Sequence, residues 1–156
     1  MYQVKVLTVS DSCSTGDRVD ESGPGLVAFF KQNGFEIIYH GVVADGVVSV
    51  SEALQDLSSG FRGVIVTTGG TGFGPRDLTP EATLQVIERE APGLAESMRN
   101  AAPKGLGRLS RGVCGVTGQC LIINTPGSVK GSIESIETII DVVPHILDLL
   151  AGETPH

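Results

Sequence analysis

The order of apolar runs and chain breakers predicts an α/β fold: a three-layer sandwich with a mostly parallel sheet, helices on both faces and an antiparallel hairpin near the C-terminus. Three observations carry this reading. Short strand-like runs alternate with helix-period segments through the first half of the chain. Each run ends in a polar or glycine-rich loop, as buried parallel strands do when they deliver their ends to a binding edge. Two late runs are separated by only Gly118-Gln119, the connection length of a β-hairpin.

Taken in order, Val4 to Val9 is a strand that stops at Ser10-Asp11-Ser12. Ser22-Gly23-Pro24 opens a helix whose inward face is Leu26, Phe29 and Phe30, and Asn33-Gly34 ends it. Phe35 to Val43 is the second strand. Ser49 and Glu52 have the spacing of a capping box, so the next helix is expected from Val50 to Leu57. Gly63 to Thr67 is the third strand and opens into a glycine loop. Thr79 is expected to cap a helix with Pro80 at its first position, and Pro92-Gly93 to break it before another from Leu94 to Ala101. Pro103 to Gly112 reads as an irregular basic loop. Val113 to Thr117 and Cys120 to Asn124 are the hairpin strands, and Ser128 caps a long final helix kinked at Pro144.

Composition narrows the function. The 156 residues, 40% of them hydrophobic, suit one domain, 1–152, with a short tail at 153–156. No apolar run reaches the ~18 residues of a membrane span, and Met1 to Ser10 resembles no leader peptide, so a cytoplasmic protein is expected. A formal charge of −7 argues against nucleic acid as a partner, because that binding needs many phosphates neutralised by Lys and Arg. Cys13, Cys114 and Cys120 form no CxxC pair and read as structural thiols, and His40, His145 and His156 are too scattered for a metal site.

The chemistry concentrates in Thr67 to Glu81, a buried strand leading through Thr68, Gly69, Gly70, Thr71, Gly72 and Gly74 to a helix start. Successive N–H groups in such a turn form a concave nest, and the helix beyond adds partial positive charge, so an anion is held without many basic side chains. The spacing matches neither a Walker P-loop nor GxGxxG. Asp45 ends the second strand and Asp77 precedes the helix. Alone, each is as readily a turn or cap residue. Together on one sheet edge they suit Mg²⁺ held against phosphates.

Thr68-Gly-Gly-Thr-Gly72 with Pro75-Arg-Asp-Leu-Thr-Pro-Glu-Ala-Thr83, the early Ser10-Asp11 and Asp20-Glu-Ser-Gly23, Leu109-Ser-Arg111 and the late Asn124-Thr-Pro-Gly127 resemble the MogA/MoaB family of molybdopterin-binding domains, from about Val4 to Leu150. The resemblance implies Mg²⁺-assisted transfer of AMP from ATP to the terminal phosphate of molybdopterin. It also implies a homotrimer, with a molybdate-insertion protein downstream. By position it makes Asp45 and Asp77 catalytic and metal-bearing, and Gly69 to Gly72 the phosphate turn. Ser10, Asp11, Ser110, Arg111, Asn124, Pro126 and Gly127 become substrate-binding, with Arg111 or Arg76 neutralising developing charge. Other readings under the same resemblance are a molybdopterin-binding trimer without turnover and a CinA-like nucleotide enzyme. Ser12 stands where many relatives carry Arg, and Thr125 where Leu is usual.

Overall fold

The computed structural model describes residues 1–154. One mixed sheet of six strands has the order β2-β1-β3-β6-β5-β4. Its strands are β1 (Gln3–Val9), β2 (Glu36–Val43), β3 (Gly63–Thr68), β4 (Arg89–Glu90), β5 (Cys114–Thr117) and β6 (Cys120–Thr125). β2, β1, β3 and β6 are mutually parallel, and β5 and β4 continue the sheet antiparallel. The helices are α1 (Asp11–Ser14), α2 (Ser22–Gln32), α3 (Val47–Ser58), α4 (Thr79–Leu84), α5 (Pro92–Arg99), α6 (Val129–Glu137) and α7 (Val143–Leu150). The expected sandwich with its late hairpin is what the chain forms.

The middles of the central strands are near-continuous apolar runs because both faces are covered, and polar residues gather at their carboxyl ends. In β6, Leu121 and Ile123 point into the layer packed by α2, α5, α6 and α7, whereas Cys120 and Ile122 point into the layer packed by α3 and α4. β3 is buried at every residue. Burial pushes the thiols of Cys114 and Cys120 up to about 12, so both stay protonated and behave as small core side chains.

Several boundaries differ from expectation for identifiable reasons. Ser49 does not cap α3, which begins at Val47 after Gly46 (φ +115°); its hydroxyl turns back to the carbonyls of Ala44 (2.8 Å) and Asp45 (3.0 Å). Thr79 is the first residue of α4 rather than its cap, and α4 ends at Leu84, leaving Arg89–Glu90 free to pair with β5. Pro92 starts α5 instead of ending a helix. The final segment is two helices. Pro144 has no N–H to give the carbonyl of Ile140, so the chain passes through a tight turn at residues 138–142 and restarts with Pro144 in the first turn of α7. The 153–156 tail lies partly outside the described residues; within them, Glu153 pairs with Arg62 at 3.2 Å.

This topology positions the site. Because β1, β2, β3 and β6 run the same way, Ser10-Asp11, Ala44-Asp45, Gly69 to Gly72 and Pro126 to Ser128 all emerge at one sheet edge.

Candidate active site

The glycine loop is held by its carbonyls. Gly69 O accepts from Thr79 Oγ1 (3.0 Å), Gly70 O from Thr79 N (3.1 Å), Thr71 O from Arg111 N (2.8 Å) and Gly72 O from Arg111 Nε (2.8 Å). With those four carbonyls tied into the protein, the N–H groups of Gly70, Thr71 and Gly72 have no protein acceptor among the described residues. Three successive N–H groups without a protein acceptor are the donor set that an anion-binding turn needs. Gly69 (φ +104°) and Gly70 (φ +67°) occupy left-handed conformations, and a Cβ on Gly70 would collide with Thr79 Oγ1.

Two ion pairs brace this loop. Arg76 donates to Asp11 through Nε (2.6 Å) and one terminal nitrogen (3.0 Å), and that nitrogen also reaches Asp45 O (2.8 Å). Arg111 donates to both carboxylate oxygens of Glu81 (2.8 and 3.1 Å) and to Asp77 O (2.6 Å). The guanidiniums hold the carboxyls of Asp11 and Glu81 below the usual range. Both arginines expected to face transferring phosphate are therefore already committed to protein carboxylates.

Asp45 and Asp77 line the same cleft. Asp45 Oδ2 accepts from Asp11 N (2.9 Å), and Asp11 Oδ1 accepts in return from Asp45 N (3.1 Å), which locks the ends of β1 and β2 together. Asp77 Oδ2 accepts from Gly74 N (2.9 Å). Burial pushes the Asp45 carboxyl up; the Asp11 hydrogen bond opposes this, and the nearby charges of Asp11 and Asp77 reinforce it. Each aspartate keeps its Oδ1 free of protein donors among the described residues. Two carboxylates on one cleft wall, each with an oxygen free of protein donors, are donors of the hard-oxygen type a divalent cation takes, though no third His, Cys, Asp or Glu joins them among the described residues.

Two cavities meet at this edge. One, of about 480 Å³, has Ser10, Cys13, Arg18, Asp20, Asp45 and Gly69 in its walls. The other, of about 670 Å³, is lined by Thr71, Met98, Leu106, Ser110, Pro126 and Lys130 among others. They share Gly70, Asp77, Gly127 and Ser128, so these four residues border both.

The expected site residues divide accordingly. Ser10 caps α1, its oxygen accepting from Cys13 N (3.2 Å), and lies 3.3 Å from Ser12 Oγ. Ser110, Pro126 and Gly127 reach the larger cavity. Thr68 lends backbone to the smaller one while its hydroxyl donates to Pro126 O (2.8 Å). Asn124 does not reach either cavity: it is buried, its Nδ2 donates to Thr67 Oγ1 and Thr83 Oγ1, and its Oδ1 accepts from Val113 N. Its polar groups are all satisfied inside the sheet. The hydroxyl of Thr125 donates to Thr67 O (2.8 Å), so this departure from Leu ties β6 to β3 rather than facing a ligand. Residues the sequence left unassigned include Glu81, which anchors Arg111. Asp20 is another, accepting from Thr8 Oγ1 (2.8 Å) and lying 3.0 Å from His40 Nε2. The Asp20 motif was visible in the chain, but its partners come from β1 and β2.

The geometry is that of an α/β domain whose glycine loop and two aspartates lie at the strand-end edge, beside two adjoining cavities. Residues 5–145 match the family model described as a probable molybdopterin binding domain. The chain is 35% identical to the molybdopterin adenylyltransferase of Helicobacter pylori over 96% of its length and 88% of the relative's. It is 31% identical to that of Escherichia coli over 96% and 86%. It also matches the molybdenum cofactor synthesis protein cinnamon of Drosophila melanogaster at 37% and gephyrin of Dictyostelium discoideum at 34%, spanning only 25% and 22% of their lengths. Among solved structures, the molybdopterin biosynthesis enzyme MoaB of Thermus thermophilus superposes with a TM-score of 0.92 at 41% identity, covering 98% of each chain. A CinA protein of Thermoplasma acidophilum shares the fold at a TM-score of 0.68 and 16% identity over 90% of this chain and 97% of its own. This chain belongs to the MogA/MoaB family of molybdopterin-binding proteins of molybdenum cofactor biosynthesis.

Proposed function

We propose that the protein transfers AMP from ATP to the terminal phosphate of molybdopterin. The observation that supports this reading is the shared wall of Gly70, Asp77, Gly127 and Ser128, since a two-substrate transfer needs two sites that open on one reacting point. The smaller cleft, bordered by Ser10 and Asp45, takes the nucleotide, and the larger takes the pterin against Ser110, Pro126 and Gly127. An oxygen of the pterin phosphate attacks the α-phosphorus of ATP. The new P–O bond forms as the bond from the α-phosphorus to the α,β-bridging oxygen breaks, and pyrophosphate leaves with that electron pair. The attacking phosphate is already ionised near neutral pH, so no general base is needed.

The amides of Gly70, Thr71 and Gly72 stabilise the charge on the transferring group. Asp45 and Asp77 would hold Mg²⁺, which would supply positive charge to offset the phosphates. Their fixed partners set the geometry: Asp11 and Ser49 for Asp45, Gly74 and Arg111 for Asp77. A cytoplasmic homotrimer that passes its product to a molybdate-insertion protein completes the reading. The test is pyrophosphate release from ATP and Mg²⁺ with and without molybdopterin. Pterin-dependent release supports transfer, whereas tight pterin binding without release points to a carrier or scaffold.

A further inference from the structure

Arg76, on Asp11 and the Asp45 carbonyl, and Arg111, on Glu81 and the Gly72 and Asp77 carbonyls, would each have to give up several short hydrogen bonds to meet an incoming phosphate. The lining of the larger cavity contains one basic side chain, Lys130, among two carboxylates, Asp77 and Glu134. Lys130 is the second residue of α6. It follows Ser128, which belongs to both cavities and caps the helix by accepting from Gly131 N (2.9 Å). Lys130 is therefore rooted within one turn of the shared wall, in the lining of the larger cavity. Its tie to Glu134 is an (i, i+4) pair at 3.8 Å, with the lysine side chain 85% exposed. Such a pair is weak and easily exchanged for a doubly charged anion.

Resting on the adenylyl-transfer reading, we propose that Lys130 binds and orients the acceptor phosphate of the pterin, leaving Glu134 when substrate arrives. Glu134 keeps the ammonium at the cavity wall in the empty enzyme and lowers its net positive charge, so phosphate must displace it. The terminal phosphate then lies between a mobile point charge and the rigid amides of the nest, with the nucleotide across the shared wall. An ammonium suits this task better than a guanidinium already fixed by two carboxylate oxygens, because it can follow the phosphate as attack proceeds.

The experiment measures binding of molybdopterin, and of the same pterin lacking its terminal phosphate, to wild-type, Lys130→Met, Lys130→Arg and Glu134→Gln proteins. ATP binding is followed alongside. Lys130→Met is expected to weaken molybdopterin binding on the order of ten- to hundredfold, to leave the dephosphorylated pterin and ATP unaffected, and to be largely rescued by Arg. Glu134→Gln is expected to tighten molybdopterin binding. Equal affinity of wild-type and Lys130→Met for molybdopterin, or equal losses for both pterins, would overturn the assignment while leaving adenylyl transfer standing. A wild-type protein that binds both substrates but releases no pyrophosphate would remove the transfer reading, and the phosphate-specific loss would still decide Lys130 as a ligand contact. Failure of the wild type to bind either pterin would overturn both.

Discussion

Asp45 shows how one side chain trades stability for a site. Its folded carboxyl has a raised pKa, chiefly through burial, so ionisation costs more in the folded than in the unfolded chain. The sign follows: stability is lost as pH rises through the unfolded and then the folded pKa. Asp45→Asn, which can still accept from Asp11 N, is therefore expected to raise the melting temperature at pH 7 while abolishing Mg²⁺-dependent turnover. A lower melting temperature, or retained turnover, would contradict this account of the residue. Gly70 carries the complementary prediction. Gly70→Val forces a side chain into φ +67° and into Thr79 Oγ1, so affinity for both phosphorylated ligands should fall together in a titration. Unchanged affinity would show that the nest is not the anion site. The placing of these residues at the sheet edge was legible in the chain, because each follows directly on an apolar strand run. The spent arginines and Asn124 were not, since their partners lie 11 to 65 residues away in sequence and only the fold brings them together.

At the scale of elements, the loop from β3 to α4 depends on a clamp supplied from elsewhere, Arg111 to Glu81, with Thr79 bonding back to Gly69 and Gly70. The Glu81 carboxyl is depressed by Arg111, so its contribution is fully present above its unfolded pKa, near 4.5, and is lost as pH falls through its folded value. Glu81→Gln should lower the melting temperature and weaken nucleotide binding at pH 7, and the melting difference from wild type should shrink as pH is taken below about 4.5. A difference independent of pH would mean that the ion pair does not hold the loop. Elements dominated by their own periodicity, such as β3, β6 and α2, were readable before the fold was known. Those decided by a competing partner were misplaced. Ser49 preferred the Ala44 carbonyl to a capping box, and Arg89–Glu90 became a strand only because β5 offers an edge.

For the whole molecule, the arrangement is economical: four parallel strands bring their carboxyl ends to one edge, and α6 with the glycine loop divides that edge into two clefts. The sandwich itself was legible because alternating strands and helices admit few topologies. The division into two cavities was not, because Gly70 and Asp77 meet Gly127 and Ser128 there only once β3 and β6 pair. The most direct test of that arrangement is to supply ATP labelled at the α-phosphorus together with molybdopterin and Mg²⁺, and to follow the label. Recovery of the label in an adenylylated pterin, in step with pyrophosphate release, is the predicted result. Label that remains in ATP, or appears only as free AMP while molybdopterin stays bound and unmodified, would contradict adenylyl transfer across the shared wall.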